Sequence, residues 1–145
     1  MIPCGEIFAP VTEAKPNPAR EPALRTFAMP ADANPNGDIF GGWLMAQMDM
    51  AGAVAAMRRA RGRVATIAVD AMTFHQPVMI GDLVSCYAEV VRVGRTSMTV
   101  KVETYVERRT TRAIEKVTEA TFTFVALDAS GRPRPVDGQP PAVVS

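Results

Sequence analysis

Asp38 stands just before a pair of glycines, Gly41 and Gly42, at the opening of a long apolar stretch. The first N–H groups of a helix have no intrahelical partner and carry a partial positive charge. Glycines at a helix start would leave those N–H groups open to a ligand. A carboxylate beside open N–H donors suits acyl transfer, because the donors stabilise an oxyanion while the carboxylate activates water or attacks the carbonyl.

A structural role for the same residues is the first alternative. An Asp before an apolar helix commonly serves as its N-cap. The glycines fit that role less well, since each glycine inside a helix costs about 1 kcal/mol relative to alanine. Either a ligand or the close packing of another segment would require their missing side chains.

The composition excludes several classes of function. The 145 residues suit one domain, and a formal net charge of +1 gives no electrostatic case for binding nucleic acid or a membrane surface. The two cysteines, Cys4 and Cys86, fall in a predicted tail and a predicted strand, so we expect no disulfide. A single histidine, His75, argues against a zinc site, and we predict no metal.

The N-terminus lacks the charged and then apolar pattern of a signal peptide. No apolar run approaches the roughly 18 residues that a membrane span needs. We therefore expect a cytoplasmic protein.

Hydrophobic periodicity and turn residues predict one helix and five strands. The helix should run from about residue 39 to 59 and end at Gly62. The strands are predicted at residues 24–29, 64–74, 83–93, 97–108 and 115–127. Two proline-rich segments, 1–22 and 128–145, are predicted to be a flexible arm and a loose tail.

These elements predict an α+β fold in which a curved antiparallel sheet wraps a long central helix. The helix is apolar nearly all round, so we expect it to be buried nearly all round. Consecutive strands joined by short turns should pair with each other. The exposed edges of such a small sheet commonly pair with a second copy, which predicts a dimer with a continuous sheet.

Residues 33–45, together with segments 24–30, 48–53, 72–78 and 94–97, resemble the hotdog-fold acyl-CoA thioesterases of the YciA type. The resemblance implies a hotdog domain over residues 23–127 that hydrolyses acyl-CoA to a carboxylic acid. It further implies dimers assembled into trimers of dimers, active sites at the dimer interface, and no cofactor, with coenzyme A as the leaving group.

The resemblance places the family's catalytic carboxylate on Asp38 and its carbonyl-polarising amide on Gly42. CoA phosphates need basic partners, for which Arg95 is the first candidate, with Ser97 as a hydroxyl donor. The remaining arginine candidates are Arg63, Arg92, Arg108 and Arg112. The full set of expected substrate-binding residues is Asn34, Gly41, Val69, Met72, Phe74, Arg95 and Ser97.

Two other functions stay open. Asp70 and His75 could form the Asp/His pair of a hotdog enoyl-thioester hydratase or dehydratase, although an odd spacing on a regular strand would point them to opposite faces. His75 also departs from the aliphatic residue expected there in relatives. The second alternative is an acyl-CoA-binding module without turnover.

Overall fold

The computed structural model of the protein describes residues 20–138. In this range the chain forms one α-helix and one sheet, with element bounds that agree with the predicted ones to within two residues. The elements are β1 (Leu24–Phe27), a 3-10 turn (Pro30–Asp32), α1 (Gly41–Ala60), β2 (Val64–Phe74), β3 (Leu83–Val93), β4 (Ser97–Glu107) and β5 (Ile114–Ala126).

The five strands form a single antiparallel sheet in the order β1-β3-β4-β5-β2. Hairpins join β3 to β4 and β4 to β5, as predicted. β2 and β3, which are joined by the longer segment 75–82, do not pair and lie three positions apart in the sheet. Segment 75–82 crosses the sheet between them and passes the start of α1, where the N–H of Ile39 donates to the carbonyl of Val78 (2.9 Å).

The core lies between α1 and the concave face of the sheet. Alternate residues of β4 are all buried and pack in the same core cluster as the helix side chains Leu44 and Met48. The stacked rings of Phe122 and Phe124, with centroids 6.2 Å apart, complete this layer. The buried β4 residues are Met98, Val100, Val102, Thr104 and Val106.

Only one face of α1 is buried in the single chain, so the expectation of burial nearly all round is wrong. The sheet covers the side of the helix that carries Leu44, Met48 and Ala56. Met50 and Met57 on other faces are 48% and 50% exposed. Part of the apolar surface of α1 is therefore not covered by any other part of residues 20–138.

The C-terminal segment is packed rather than loose over residues 128–138, which corrects the predicted tail. Val136 is buried in the core cluster, and its N–H donates to the carbonyl of Arg95 (2.8 Å). Arg134 is also buried, and its Nη2 donates to the carbonyl of Ala60 (2.6 Å). The predicted arm lies mostly outside the described residues, as does the end of the tail.

α1 ends at Ala60, one residue beyond the predicted last residue of the helix. Arg61, not Gly62, adopts the left-handed conformation after the helix (φ 56°), and the N–H of Gly62 donates to the carbonyl of Met57 (3.3 Å).

Within residues 20–138, no helix has the length and apolar character needed to cross a membrane.

Candidate active site

The loop before α1 is organised by Asn34. Its Oδ1 accepts hydrogen bonds from the N–H groups of Asn36 (2.8 Å) and Asp38 (3.2 Å). Its own N–H donates to the carbonyl of Asp38 (2.6 Å). Asn is favoured in such loops because its side chain can replace a backbone acceptor. Asn34 thus holds the loop in place, and direct contact between Asn34 and a substrate stays a prediction.

The start of α1 leaves two backbone donors open. The N-cap residue is Phe40, whose side chain makes no capping bond, so Asp38 is not the N-cap. The N–H groups of Trp43 and Leu44 both donate to the carbonyl of Phe40 (3.1 and 3.3 Å). Within residues 20–138 the N–H groups of Gly41 and Gly42 have no hydrogen-bond partner, and both residues are exposed.

Crowding inside the chain does not explain the two glycines. A Cβ placed on Gly41 would lie 3.5 Å from Cζ of Phe74, which is an ordinary contact. A Cβ placed on Gly42 would have no atom of residues 20–138 within 4 Å. The missing side chains therefore leave space for a ligand or for another protein segment outside residues 20–138.

One groove beside the helix start contains Asp38. It has a volume of about 270 Å³ and is mixed in polarity. No hydrogen bond reaches the Asp38 carboxylate from residues 20–138, although its backbone is tied to Asn34 and forms an isolated bridge with Met79. The lining residues that matter here are Asn34, Asp38, Phe40, Gly41, Phe74 and Gln76. We call this the Asp38 groove.

A second groove runs along the helix between α1 and the edge strand β2. Its volume is about 380 Å³, and its walls are predominantly apolar. It contains a carboxylate, Asp49, whose Oδ1 accepts a 2.5 Å hydrogen bond from the hydroxyl of Thr66 on β2. We call it the Asp49 groove, and its lining includes Gly42, Met45, Asp49, Thr66, Val69 and Phe122.

The two predicted catalytic residues line different grooves. Asp38 shares its groove with Gly41, whereas Gly42 shares its groove with Asp49. Residues seven apart lie on the same face of a helix, which explains why Gly42 and Asp49 meet. Each groove can hold a carbonyl near one open amide and one carboxylate.

Neither Asp49 nor Thr66 was among the site residues predicted from the sequence. The signal on the helix was present, because Gly42, Met45, Ala46 and Asp49 follow the spacing of a single helix face. The partner was not readable, since the Thr66 hydroxyl meets Asp49 only through the packing of β2 on α1.

The predicted acyl-binding residues separate in the same way. Val69 lines the Asp49 groove, and Phe74 lines the Asp38 groove. Met72, also expected to bind the substrate, is partly buried and packs against the core. Register shifts in β2 between Thr66 and Ala68 and between Asp70 and Thr73 break the alternation, so these side chains do not share one face.

Gln76 is a floor residue of the Asp38 groove that was not predicted. It is only 6% exposed, and its Oε1 has no hydrogen-bond partner within residues 20–138. A buried polar atom without a partner costs about 1–3 kcal/mol. Gln76 therefore places a buried polar side chain at the wall of the Asp38 groove.

Arg95 and Ser97 lie at the opposite end of the molecule from Asp38. They belong to the β3–β4 turn, which contacts the segment after β5 through the hydrogen bond from Val136 to the Arg95 carbonyl. Arg108 lies near the helix start but is already engaged. It binds Asp82 (2.6 Å), Glu115 (2.5 Å) and the carbonyl of Pro77 (2.9 Å).

The Asp70 and His75 pair expected for a hydratase does not form. Asp70 lies opposite Thr121 in the sheet, whereas His75 Nε2 lies 3.4 Å from Oε1 of Glu119. Glu119 also accepts a 3.0 Å bond from buried Lys116. Burial acts to raise the pKa of Glu119, but the hydrogen bond and charge of Lys116 outweigh it and hold that pKa below its ordinary value.

Metal ligation finds no support in the described part of the chain. Among residues 20–138, no group of three or more His, Cys, Asp or Glu side chains is placed to hold an ion. The chemistry available in both grooves is that of backbone donors and carboxylates.

A curved antiparallel sheet around one helix, with open amides at the helix start, defines a hotdog-fold protein with a thioester-type site. The family comparison agrees, since the Thioesterase superfamily matches residues 36–113. The chain belongs to the Thioesterase superfamily.

Individual relatives share most of the chain. It is 51% identical over 125 residues to the acyl-CoA thioester hydrolase YciA of Salmonella typhimurium, covering 84% of this chain and 94% of that protein. The hexameric thioesterase y2039 of Yersinia pestis is 50% identical with a TM-score of 0.78, covering 85% and 100% of the two chains. Cj0915 of Campylobacter jejuni, a hexameric hotdog fold thioesterase, is 43% identical with a TM-score of 0.78, covering 82% and 92%.

Proposed function

We propose that the protein hydrolyses acyl-CoA thioesters to the free carboxylic acid and CoA. The observation that carries the proposal is the pair of N–H groups at Gly41 and Gly42, which have no partner within residues 20–138 and line grooves that each contain a carboxylate. The 51% identity to an acyl-CoA thioester hydrolase supports the same reaction. No metal or redox cofactor enters this reaction, and we propose the cytoplasm as its location.

The proposed site lies in the Asp49 groove. A thioester carbonyl bound to the N–H of Gly42 becomes more electrophilic, and one such donor is worth about 2.7–4 kcal/mol in known acyl transfer. Asp49 lies on the same helix face, and Thr66 fixes its carboxylate. An acyl group bound against the apolar walls would displace water and strengthen these interactions.

Asp49 then either removes a proton from water that attacks the carbonyl or attacks the carbonyl itself to give an anhydride. In the first route the oxyanion collapses, the carbon–sulfur bond breaks, and the proton passes to the departing CoA thiolate. In the second route the attack of Asp49 expels the CoA thiolate, and water then hydrolyses the anhydride to the free carboxylic acid and the Asp49 carboxylate. Label found in Asp49 after a single turnover in ¹⁸O-water would identify the anhydride route, because only attack of water on the Asp49 carbonyl of an anhydride places ¹⁸O there.

Asp38 is the alternative carboxylate, which would act on a carbonyl bound at Gly41. Its groove is more polar, and no residue of the described chain holds its carboxylate in a fixed orientation. We therefore assign the main role to Asp49 and expect Asp38 to support the loop before α1.

Replacing each carboxylate by its isosteric amide tests this assignment. We expect Asp49→Asn to lower kcat for butyryl-CoA by at least about a hundredfold and Asp38→Asn by less than about tenfold. Asp70→Asn on the neighbouring strand is the matched control and should be unaffected. The reverse order would move the site to the Asp38 groove, and full activity in both variants would refute carboxylate catalysis.

The alternative functions are tested with the same protein. A hydratase would convert crotonyl-CoA without releasing thiol, and a binding module would bind butyryl-CoA without turnover. The separated Asp70 and His75 side chains give no observation in favour of the hydratase.

We also propose a dimer formed through β2 and further assembly into a trimer of dimers. β2 is the last strand of the sheet and carries exposed Ile67 (59%) and Val69 (37%). Long apolar edge strands tend to pair with another chain. Ile67→Lys should weaken the dimer in light scattering, whereas an unchanged mass would place the interface elsewhere.

A further inference from the structure

One largely buried arginine joins three parts of the chain near the start of α1. Arg108 directly follows β4, and only 12% of its side chain is exposed. Its Nη1 donates to Oδ2 of Asp82 (2.6 Å) and to the carbonyl of Pro77 (2.9 Å), and its Nε donates to Oε2 of Glu115 on β5 (2.5 Å). Pro77 and Asp82 both belong to segment 75–82, which crosses the sheet. We call Arg108, Asp82 and Glu115 the Arg108 cluster.

The Arg108 cluster is poorly suited to a purely stabilising role. Asp82 is 2% exposed, and the attraction between two charges removed from water often fails to offset the cost of their desolvation. The Nη2 of Arg108 is also buried and has no hydrogen-bond partner within residues 20–138. A well-packed apolar group would hold the same segments together with less loss of hydration. The guanidinium adds direction, because its donors lie in a fixed plane and bind several acceptors at defined angles.

Asp82 links Arg108 to the turn that precedes β3. The Oδ2 atom that binds Arg108 also accepts the N–H of Met79 (2.8 Å), and the N–H of Asp82 donates back to the carbonyl of Met79 (3.1 Å). Arg108 and Met79 thus share one carboxylate oxygen. A shift of the guanidinium would therefore move the acceptor that fixes Met79.

The backbone at Met79 is paired with the loop before α1. Met79 forms an isolated antiparallel bridge with Asp38, and the carbonyl of Val78 accepts the N–H of Ile39 (2.9 Å). Ile39 lies only two residues before the start of α1. The segment held by Arg108 therefore supports the backbone that leads directly into the helix start.

We propose that Arg108 is a positioning residue that sets the placement of the open N–H groups of Gly41 and Gly42 through residues 77–79. This inference rests on the proposed thioesterase function, in which the N–H of Gly42 binds the thioester carbonyl. Arg108 lines neither groove, so it acts through the backbone and not on the substrate. Donors of this kind stabilise a transition state because they are fixed in place before the reaction, and a misplacement of about 1 Å can lower the rate by about a hundredfold.

Arg108→Lys tests the proposal because it keeps the positive charge and loses the planar set of donors. We expect kcat for butyryl-CoA to fall by about tenfold to a hundredfold, while KM changes by less than about threefold. A raised KM with unchanged kcat would overturn the proposal, since Arg108 would then contribute to substrate binding. A kcat within about twofold of the wild type would overturn it as well.

Two further variants separate positioning from stability. Arg25→Lys is the matched control, because Arg25 on β1 also donates from its Nε to a side chain, the hydroxyl of Ser85 (2.8 Å), and lines neither groove. Its kcat should not change. Arg134→Met removes buried hydrogen bonds at the far end of α1 and should also leave kcat nearly unchanged. If Arg134→Met loses as much kcat as Arg108→Lys, general instability explains both losses and the proposal is wrong.

Hydrogen exchange followed by mass spectrometry measures how firmly the helix start is held. In Arg108→Lys, peptides covering residues 38–46 should exchange faster than in the wild type, whereas peptides from the beginning of β4 should be unchanged. Equal exchange in the two proteins would overturn the proposal even if kcat fell. This measurement needs no substrate. If the wild type releases no thiol from butyryl-CoA, the proposed function fails, while faster exchange at residues 38–46 would still show that Arg108 holds the helix start.

Glu115→Gln decides the matter if Arg108→Lys does not fold. Glu115 is 40% exposed, and the variant keeps an acceptor oxygen while it removes the charge that holds Nε of Arg108. We expect kcat to fall by about threefold to tenfold, with faster exchange at residues 38–46. Wild-type kcat and wild-type exchange in the folded Glu115→Gln variant would overturn the proposal.

Discussion

The two ends of α1 differ in how their backbone groups are satisfied. At the start, Phe40 provides no side-chain cap, and the N–H groups of Gly41 and Gly42 lack partners in the described chain. At the end, Arg61 turns the chain with a left-handed φ of 56°, and Arg134 donates to the carbonyl of Ala60 (2.6 Å). The helix is closed where it ends and open where it starts.

The start of α1 is therefore suited to catalysis, whereas its end contributes to stability. Donors that are already satisfied cannot bind a developing oxyanion, so an active helix start must forgo its cap. The closed end offsets that loss, because Arg134 and Val136 fix the last turn to the sheet. Variants at each end should therefore change different measurements.

The largest expected effect comes from removing a donor at the open end. Proline has no N–H but is tolerated in the first turn of a helix. Gly42→Pro should lower kcat for butyryl-CoA by about a hundredfold to a thousandfold while the helix is retained. Thiol release and far-UV circular dichroism measure the two properties.

Gly41→Pro is the matched variant one residue earlier. The extended backbone of Phe40 (ψ 136°) already suits a following proline, so this variant should fold well. We expect less than about a tenfold loss of kcat. A greater loss of kcat at Gly41 than at Gly42 would place the thioester carbonyl in the Asp38 groove. High activity in both variants would show that neither N–H group is needed for catalysis.

Arg134→Met tests the closed end and should lower stability with little effect on kcat. Arg134 is buried and donates to the carbonyls of Leu127, Pro135 and Ala60. Losing these bonds while keeping the apolar stem should cost about 2–3 kcal/mol in the free energy of unfolding. Urea denaturation measures the loss, and exposed Arg132→Met is the control. Equal stability of the two variants would show that the clamp is unimportant.

The sequence predicted the elements better than their neighbours. The bounds of β2 and β3 were predicted correctly because Gly62, Pro77, Gly81 and Gly94 mark the turns around them. The separation of β2 from β3 was not predictable locally, because the path of segment 75–82 depends on contacts with Ile39 and Arg108, which are distant in sequence. Packing of residues 128–138 likewise depends on Arg134 reaching Ala60, 74 positions earlier.

The candidate site divides in a similar way. The glycine pair was visible because glycine is unfavourable inside a helix, and its open amides agree with that interpretation. The role of Asp49 was not predicted, because it depends on a hydrogen bond from Thr66, 17 residues away on another element. Arg95 was selected for its turn, but only the sheet order reveals that it lies at the closed end.

Gly52→Ala in the middle of the helix provides a reference between the two ends. A Cβ there would lie 3.0 Å from Cε2 of Phe124 and 3.4 Å from Cγ2 of Val102, so the core must shift. We expect a net destabilisation of about 1–2 kcal/mol, with the gain in helix propensity offset by overpacking. Thermal unfolding measures it, and Gly42→Ala, where no such contact exists, should not be destabilised. Similar melting temperatures for the two alanine variants would contradict the assigned packing.

The smallest expected effect is at Arg61, the residue that ends α1 in a left-handed conformation. This conformation is unfavourable for a residue with a Cβ, so Arg61→Gly should stabilise the protein by about 0.5–1 kcal/mol. Urea denaturation measures the gain. Arg61→Lys keeps the Cβ and the strain, so it should have the stability of the wild type. If Arg61→Gly and Arg61→Lys unfold alike, the strain at this helix end is negligible.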